Sequence, residues 1–195
     1  MFEKNIKSID IQTYTVSLII LGVCLLRSFT FINNFSPVIA LAIFGALHYK
    51  KKSLAYILPL ASLWFSDLLI NNLRYVLSDE FTWFYKGFFW QYISYLIIIF
   101  LCIKFNNNKI NISKIFITAI FSSFIFFIIS NFGYWLSSEL YEKNLFGLIS
   151  CYIAAIPFYK GTILGALFYT PLFFAFYYLL QKKINILKID KLKYE

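Results

Sequence analysis

The sequence predicts an all-α integral membrane protein: six transmembrane helices plus a short re-entrant or interfacial segment, in one domain spanning residues 1–195. Composition is the first observation behind this. The chain is 61% hydrophobic and only 14% charged, against about 45–50% apolar for soluble proteins, and its mean hydropathy is +0.72. The second is where the charge falls. The lysines sit between apolar runs and in the tail, which is a signature of membrane topology and not of a phosphate-binding groove. The net charge of +9 therefore does not point to nucleic acid.

The first helix is expected over residues 9–26, ending against Arg27. No small-residue cleavage site follows its apolar run, so it is expected to stay as a signal anchor. Asn33 and Asn34 then make a polar corner that helices avoid. The second helix, 36–49, opens with Ser36 as a cap and Pro37 where a missing N–H costs nothing. Its 13 residues from Pro37 to Tyr49 rise only about 20 Å, short of a hydrocarbon layer of about 30 Å. Irregular backbone must complete the crossing, and at membrane depth it survives only when buried in protein or beside a wet cavity. This stretch therefore predicts a pocket.

Lys50, Lys51 and Lys52 lead into a third helix, 53–70, with Pro59 inside and Asp67 near its far end. The fourth helix is expected over 87–103 and the fifth over 112–132, closing in Asn131, Gly133 and Trp135. Residues 145–159 are limited by Pro157 and read as re-entrant; the last helix, 162–180, runs into a basic tail. With both termini cytoplasmic, the inner side collects 13 lysines and the outer side keeps Arg27, Arg74, Lys86, Lys143 and Lys160, as the positive-inside rule demands of a cytoplasmic (inner) membrane protein. Counting 145–159 as a further full crossing would throw the basic tail outside.

Under this topology Arg27, Asn33, Asn34, Asp67, Asn131, Trp135 and Tyr152 gather toward the outer side. Asp67 is the sharpest of them. Its flank, LWFSDLLI, places a carboxylate inside an apolar run, where full membrane depth costs about 2.5–3.5 kcal/mol. Arg27 is the partner at matching depth. The pair is either a clamp between the first and third helices or functional, with Asp67 as a ligand contact or a proton site. Asn33, Asn34 and Asn131 are the candidate hydrogen-bonders. Trp135 is either a stacking wall or an interfacial anchor.

Three cysteines in three different segments form no disulfide or zinc pattern. His48 is the single histidine, beside the inner lysines, and reads as a headgroup-level side chain. No metal site, no cofactor and no nucleophile–base pair is therefore expected, and the chain reads as no enzyme. Ala42 with Ala46, and Gly161 with Gly165, place small residues four apart. That spacing serves either internal packing or docking to a partner subunit.

The stretches RSFTFINNFSPVIALAIFGAL, LPLASLWFSDLL, SNFGYWLSS and LISCYIAAIPFYKGTILGALFY resemble motifs of an uncharacterised family of small bacterial membrane proteins. The length, the six spans, the broken approach to an early helix and the outward polar cluster are together similar to the substrate-binding (S) components of energy-coupling-factor (ECF) vitamin transporters. No signature of the riboflavin, thiamin or biotin S components is present. The resemblance implies an S-component-like bundle in the lipid bilayer that takes up a small vitamin-like molecule from outside. Its implied partner is a transmembrane coupling subunit with ATPases. The alternative is a non-transporting scaffold of similar shape, in which the basic tail and the Ala42/Ala46 face hold partners and the outer cluster is a structural lock.

Overall fold

Six helices carry most of the residues that the computed structural model describes, namely 11, 13–23, 27, 34–74, 80–105, 109–183 and 193–194. They are α1 (Thr13–Val23), α2 (Val38–His48), α3 (Lys52–Leu69), α4 (Phe88–Lys104), α5 (Ile112–Ser137) and α6 (Leu145–Lys183). A π-helical turn, Ile70–Arg74, extends α3. A two-residue parallel bridge between Lys109–Ile110 and Lys193–Tyr194 is the only strand pairing among the described residues. Lys52–Leu73, Ile112–Ser137 and Leu145–Lys183 are long and apolar enough to cross a membrane, whereas α1, α2 and α4 are apolar but shorter.

The bundle is organised around α2. Ten of its 11 residues are buried, and α3, α4, α5 and α6 all pack on it. A helix that is apolar all round can be stable only when it is enclosed, and the sequence VIALAIFGALH has no polar face to turn outward. Small residues let its neighbours in. A Cβ on Gly45 would lie 3.0 Å from Pro59 Cγ of α3. Ala42 and Ala46 are 0% and 5% exposed, so they serve internal packing and offer no docking face. Gly165 of α6 is buried against the approach to α2 and Gly161 is half-buried.

At the C-terminal end of α2 the packing is aromatic. Phe44 meets Phe174 and Tyr177 edge-on at ring distances of 5.6 Å. His48 lies 4.0 Å from the Phe44 ring and 4.6 Å from Tyr177, and its Nδ1 donates to the Phe44 carbonyl at 2.9 Å. His48 is therefore a core residue, not the headgroup-level side chain its lysine neighbours suggest. A ring facing back along the helix escapes the charge that follows it in sequence.

The re-entrant segment expected at 145–159 does not exist: those residues and 162–180 form one continuous helix of 39 residues. At about 1.5 Å per residue this rod is about 58 Å long, more than the roughly 40–45 Å of a whole bilayer. Pro157 removes a single backbone hydrogen bond, and neighbouring helices readily support such a gap. Here α5 holds the turns before it. Tyr152 donates its hydroxyl to the Ile128 carbonyl at 2.7 Å, and Cys151 Sγ approaches the Asn131 carbonyl at 3.6 Å. The fifth helix likewise runs to Ser137, beyond the expected end at 132. Ser36 contributes only a long contact to the Val38 N–H, 3.4 Å, and α2 starts after Pro37.

Away from α2 the outer faces are greasy. Ile117 and Phe121 of α5, and Leu164, Phe168 and Phe176 of α6, are half or more exposed. Apolar surface on this scale marks contact with lipid or protein rather than water.

Candidate functional site

Where α2 begins, its neighbours continue. α4, α5 and α6 extend past the level of Val38, and at this end of α2 they line a cavity of about 520 Å³. Asn34, Ser36 and Ile39 border it on the α2 side, and Arg27 comes from beyond the end of α1. α4 supplies Trp90, Gln91 and Tyr95; α5 supplies Phe127, Ser130, Asn131 and Tyr134; α6 supplies Phe158, Tyr159 and Thr162. Lys86 and Glu139 face each other at 4.0 Å in a solvent-exposed pair that also borders the cavity. Such a pair contributes little to stability.

The approach to α2 is shaped by two unusual contacts. Asn34 has a φ of 58°, the left-handed conformation that asparagine tolerates better than other side chains. The following backbone is pressed onto α6, where a Cβ on Gly165 would lie 2.8 Å from Ser36 N and 3.0 Å from its carbonyl oxygen. Only glycine permits that approach.

Arg27 and Asp67 pair as the sequence predicts, Nη1 to Oδ1 at 2.6 Å. Arg27 also donates to Ser66 Oγ, and Tyr92 donates to the second oxygen of Asp67 at 3.3 Å. Asp67 is 5% exposed and does not line the cavity. It stands behind Arg27, ties α3 to the end of α1, and meets the guanidinium charge, so the cavity interior presents donors and acceptors without net charge. The Tyr85 hydroxyl, next to this group, is buried without a hydrogen-bond partner among the described residues, and Tyr85 lines the cavity. Burial first, then the neighbouring Asp67 carboxylate, hold its phenol well above the ordinary range, so it stays a neutral donor.

The wall between α4 and α5 is Trp90. A Cβ on Gly133 would overlap its ring, so glycine there is a seat for the indole rather than a hinge. Trp90 Nε1 donates to Ser137 Oγ at 3.2 Å. The loop before α4 is held from α3. Asn72, in the π-turn, donates to the Thr82 carbonyl at 2.9 Å and accepts from the Thr82 N–H at 2.7 Å. Gly87 then starts α4 with a φ of 81°.

Of the residues singled out from sequence, Arg27, Asn34 and Asn131 line the cavity. Asn131 spends an amide hydrogen on the Phe127 carbonyl at 2.8 Å. Asn33 lies outside the described residues. Trp135 and Tyr152 do not line the cavity. Trp135 Nε1 donates to the Glu142 carbonyl at 2.9 Å, its ring receives the Lys143 ammonium at 5.6 Å, and Lys143 also donates to its carbonyl. It braces the α5–α6 turn. Tyr152 is turned onto α5 as described.

The residues that sequence reasoning passes over are Trp90, Gln91, Tyr95, Tyr85 and Thr162. A signal for three of them exists. In FFWQYISYLIII the polar-capable residues Trp90, Gln91, Ser94 and Tyr95 recur at helical spacing on an otherwise apolar helix. Among the described residues no cluster of three or more His, Cys, Asp or Glu side chains could hold a metal ion.

The fold and cavity together define a helical, largely apolar bundle with a polar hollow at one end. The sequence profile of a family of unknown function, DUF6580, matches residues 7–187, and the chain belongs to that family. This agrees with the uncharacterised family expected from the motifs and carries no link to S components. No curated protein and no solved structure matches the chain.

Proposed function

We propose that this protein is a membrane-embedded solute-binding component, which captures a small, flat, hydrogen-bonding and largely uncharged molecule in the hollow above α2. The observation that carries this reading is the cavity itself. Its volume of about 520 Å³ falls within the roughly 300–1,000 Å³ of small-molecule sites, and such sites combine apolar walls with a few convergent polar groups. Trp90, Tyr95 and Phe127 offer ring faces; Gln91, Asn34 and Asn131 offer amides; Arg27 is already matched by Asp67. A vitamin-like heterocycle meets those demands. A free anion does not.

Embedding in a membrane is supported by the three long apolar helices and the greasy outer faces; the cytoplasmic membrane is the reading that the lysine distribution favours. The distribution of lysines turns the cavity outward and both termini inward. Uptake with a coupling subunit and ATPases, as in S components, is the transport reading that the sequence resemblance favours. The scaffold alternative loses one support, because the Ala42/Ala46 face is covered by the protein's own helices.

The test is thermal stabilisation of the purified protein across a panel of vitamins and related heterocycles. A ligand present at about 100 times its Kd adds about 2.7 kcal/mol of stability by mass action. One compound class should raise the melting temperature and lose that effect in Gln91→Ala. Failure of every compound at millimolar concentration overturns the reading.

A further inference from the structure

A second, smaller opening lies at the other end of the bundle, between α4 and α5. It is a slot of about 180 Å³. Its floor is Ile43 of α2 with Ile98 and Phe174, each at most 2% exposed, and its lips are Phe105, Ile117 and Phe121, each more than 60% exposed. The slot thus runs from the lipid-facing surface to the central helix, and its lining is almost wholly apolar.

Its shape and its end are what identify an occupant. On α5 the lining runs from Lys114 through Thr118 and Phe121 to Ile125. These twelve residues are eleven helical steps, a rise of about 16 Å, which matches the roughly 15 Å half-thickness of a bilayer's hydrocarbon layer. Lys114 sits at one end of this track, on the first turn of α5. Lys104, whose ammonium lies 5.7 Å from the centre of the Phe105 ring, stands at the same end. An apolar track of half-bilayer length with Lys114 at one end, and Lys104 beside the Phe105 lip, has the form of one acyl chain beneath a charged headgroup.

We propose that this slot is a binding site for a single anionic phospholipid of the cytoplasmic leaflet, its phosphate held by Lys114 and Lys104 and one acyl chain laid on Ile43 and Ile98. Basic pockets between membrane helices recognise anionic headgroups in this way, with about 1 kcal/mol per lysine, or about fivefold in affinity. The site rests on the membrane reading but not on solute binding. A chain found in the soluble fraction refutes embedding before any lipid is compared.

The experiment uses the full chain in detergent with phosphatidylglycerol or phosphatidylcholine of identical acyl chains, read by native mass spectrometry of retained lipid. One phosphatidylglycerol should be retained about fivefold or more above phosphatidylcholine. Lys114→Glu should abolish that preference, whereas Lys182→Glu, an equal charge change elsewhere on the same end, should keep it. Equal loss in both variants means diffuse surface charge and overturns the site. Because filling the slot can disturb folding, Phe121→Trp provides the second readout. Phosphatidylglycerol brominated on its acyl chains should quench this indole more strongly than brominated phosphatidylcholine, and equal quenching overturns the proposal.

Discussion

The two ends of α2 are made from one buried helix and finished in opposite ways. At the His48 end, Phe44, Phe174 and Tyr177 close around it edge to face, and His48 Nδ1 donates to the Phe44 carbonyl. At the Val38 end the helix stops, its neighbours do not, and the void there is lined by amides, hydroxyls and ring faces. The difference is one of lining: side chains fill one end of α2, and a polar and aromatic wall surrounds a void at the other. Stability should therefore reside at the aromatic end, and binding at the other.

That division can be broken by mutation, and the largest effect belongs to the aromatic end. Phe44→Ala should destabilise by about 3–5 kcal/mol, the usual cost of deleting a buried aromatic side chain. Ligand-induced stabilisation should persist in the fraction that folds, as melting curves with and without ligand will show. Asp67→Leu comes next: it strands the Arg27 charge and should cost about 3 kcal/mol. The double variant Arg27→Met with Asp67→Leu should recover most of the loss in chemical denaturation. If it does not, the pair is more than a clamp between α1 and α3.

Smaller changes sharpen the comparison at the cavity. Gln91→Ala and Asn131→Ala should each move stability by less than about 1 kcal/mol, since each removes no more than one ordinary hydrogen bond. Each should still weaken ligand binding by about tenfold, equivalent to about 1.4 kcal/mol, in calorimetric titration. The smallest effect is expected from Trp135→Phe. It forfeits the bond to the Glu142 carbonyl, about 1 kcal/mol at most, and should leave ligand affinity unchanged. A loss of affinity there would move the site outward from the hollow.

Much of this arrangement could be read from the residues themselves. α3, α4 and α5 start where their apolar runs start, and the short reach of α2 implied a hollow before any coordinates. The Arg27–Asp67 pair followed from depth alone, because two unlike charges inside apolar runs have few other partners. What could not be read was rotation about a helix axis. On α5 the cavity face is centred on Ser130 and Tyr134, which leaves Asn131 at its edge and Trp135 just past it. Sequence places both at the same end of the helix, one turn apart, and cannot tell which faces the void. The division of α6 had a different cause. Pro157 looks like a stop when only its own lost hydrogen bond is counted, and the contacts from α5 that support the turns before it are invisible in one strand of text.

The floor of the hollow has a property that its walls lack. Ser36 rests on Gly165 through its main-chain nitrogen and oxygen, and the ring of Phe35 beside it packs on Phe168 and Tyr169, which do not border the void. A wall residue such as Gln91 on α4 can thus be exchanged without shifting the platform beneath it. Related chains could recognise chemically different molecules on one unaltered foundation, provided that a hydrogen atom, and nothing larger, is kept at position 165.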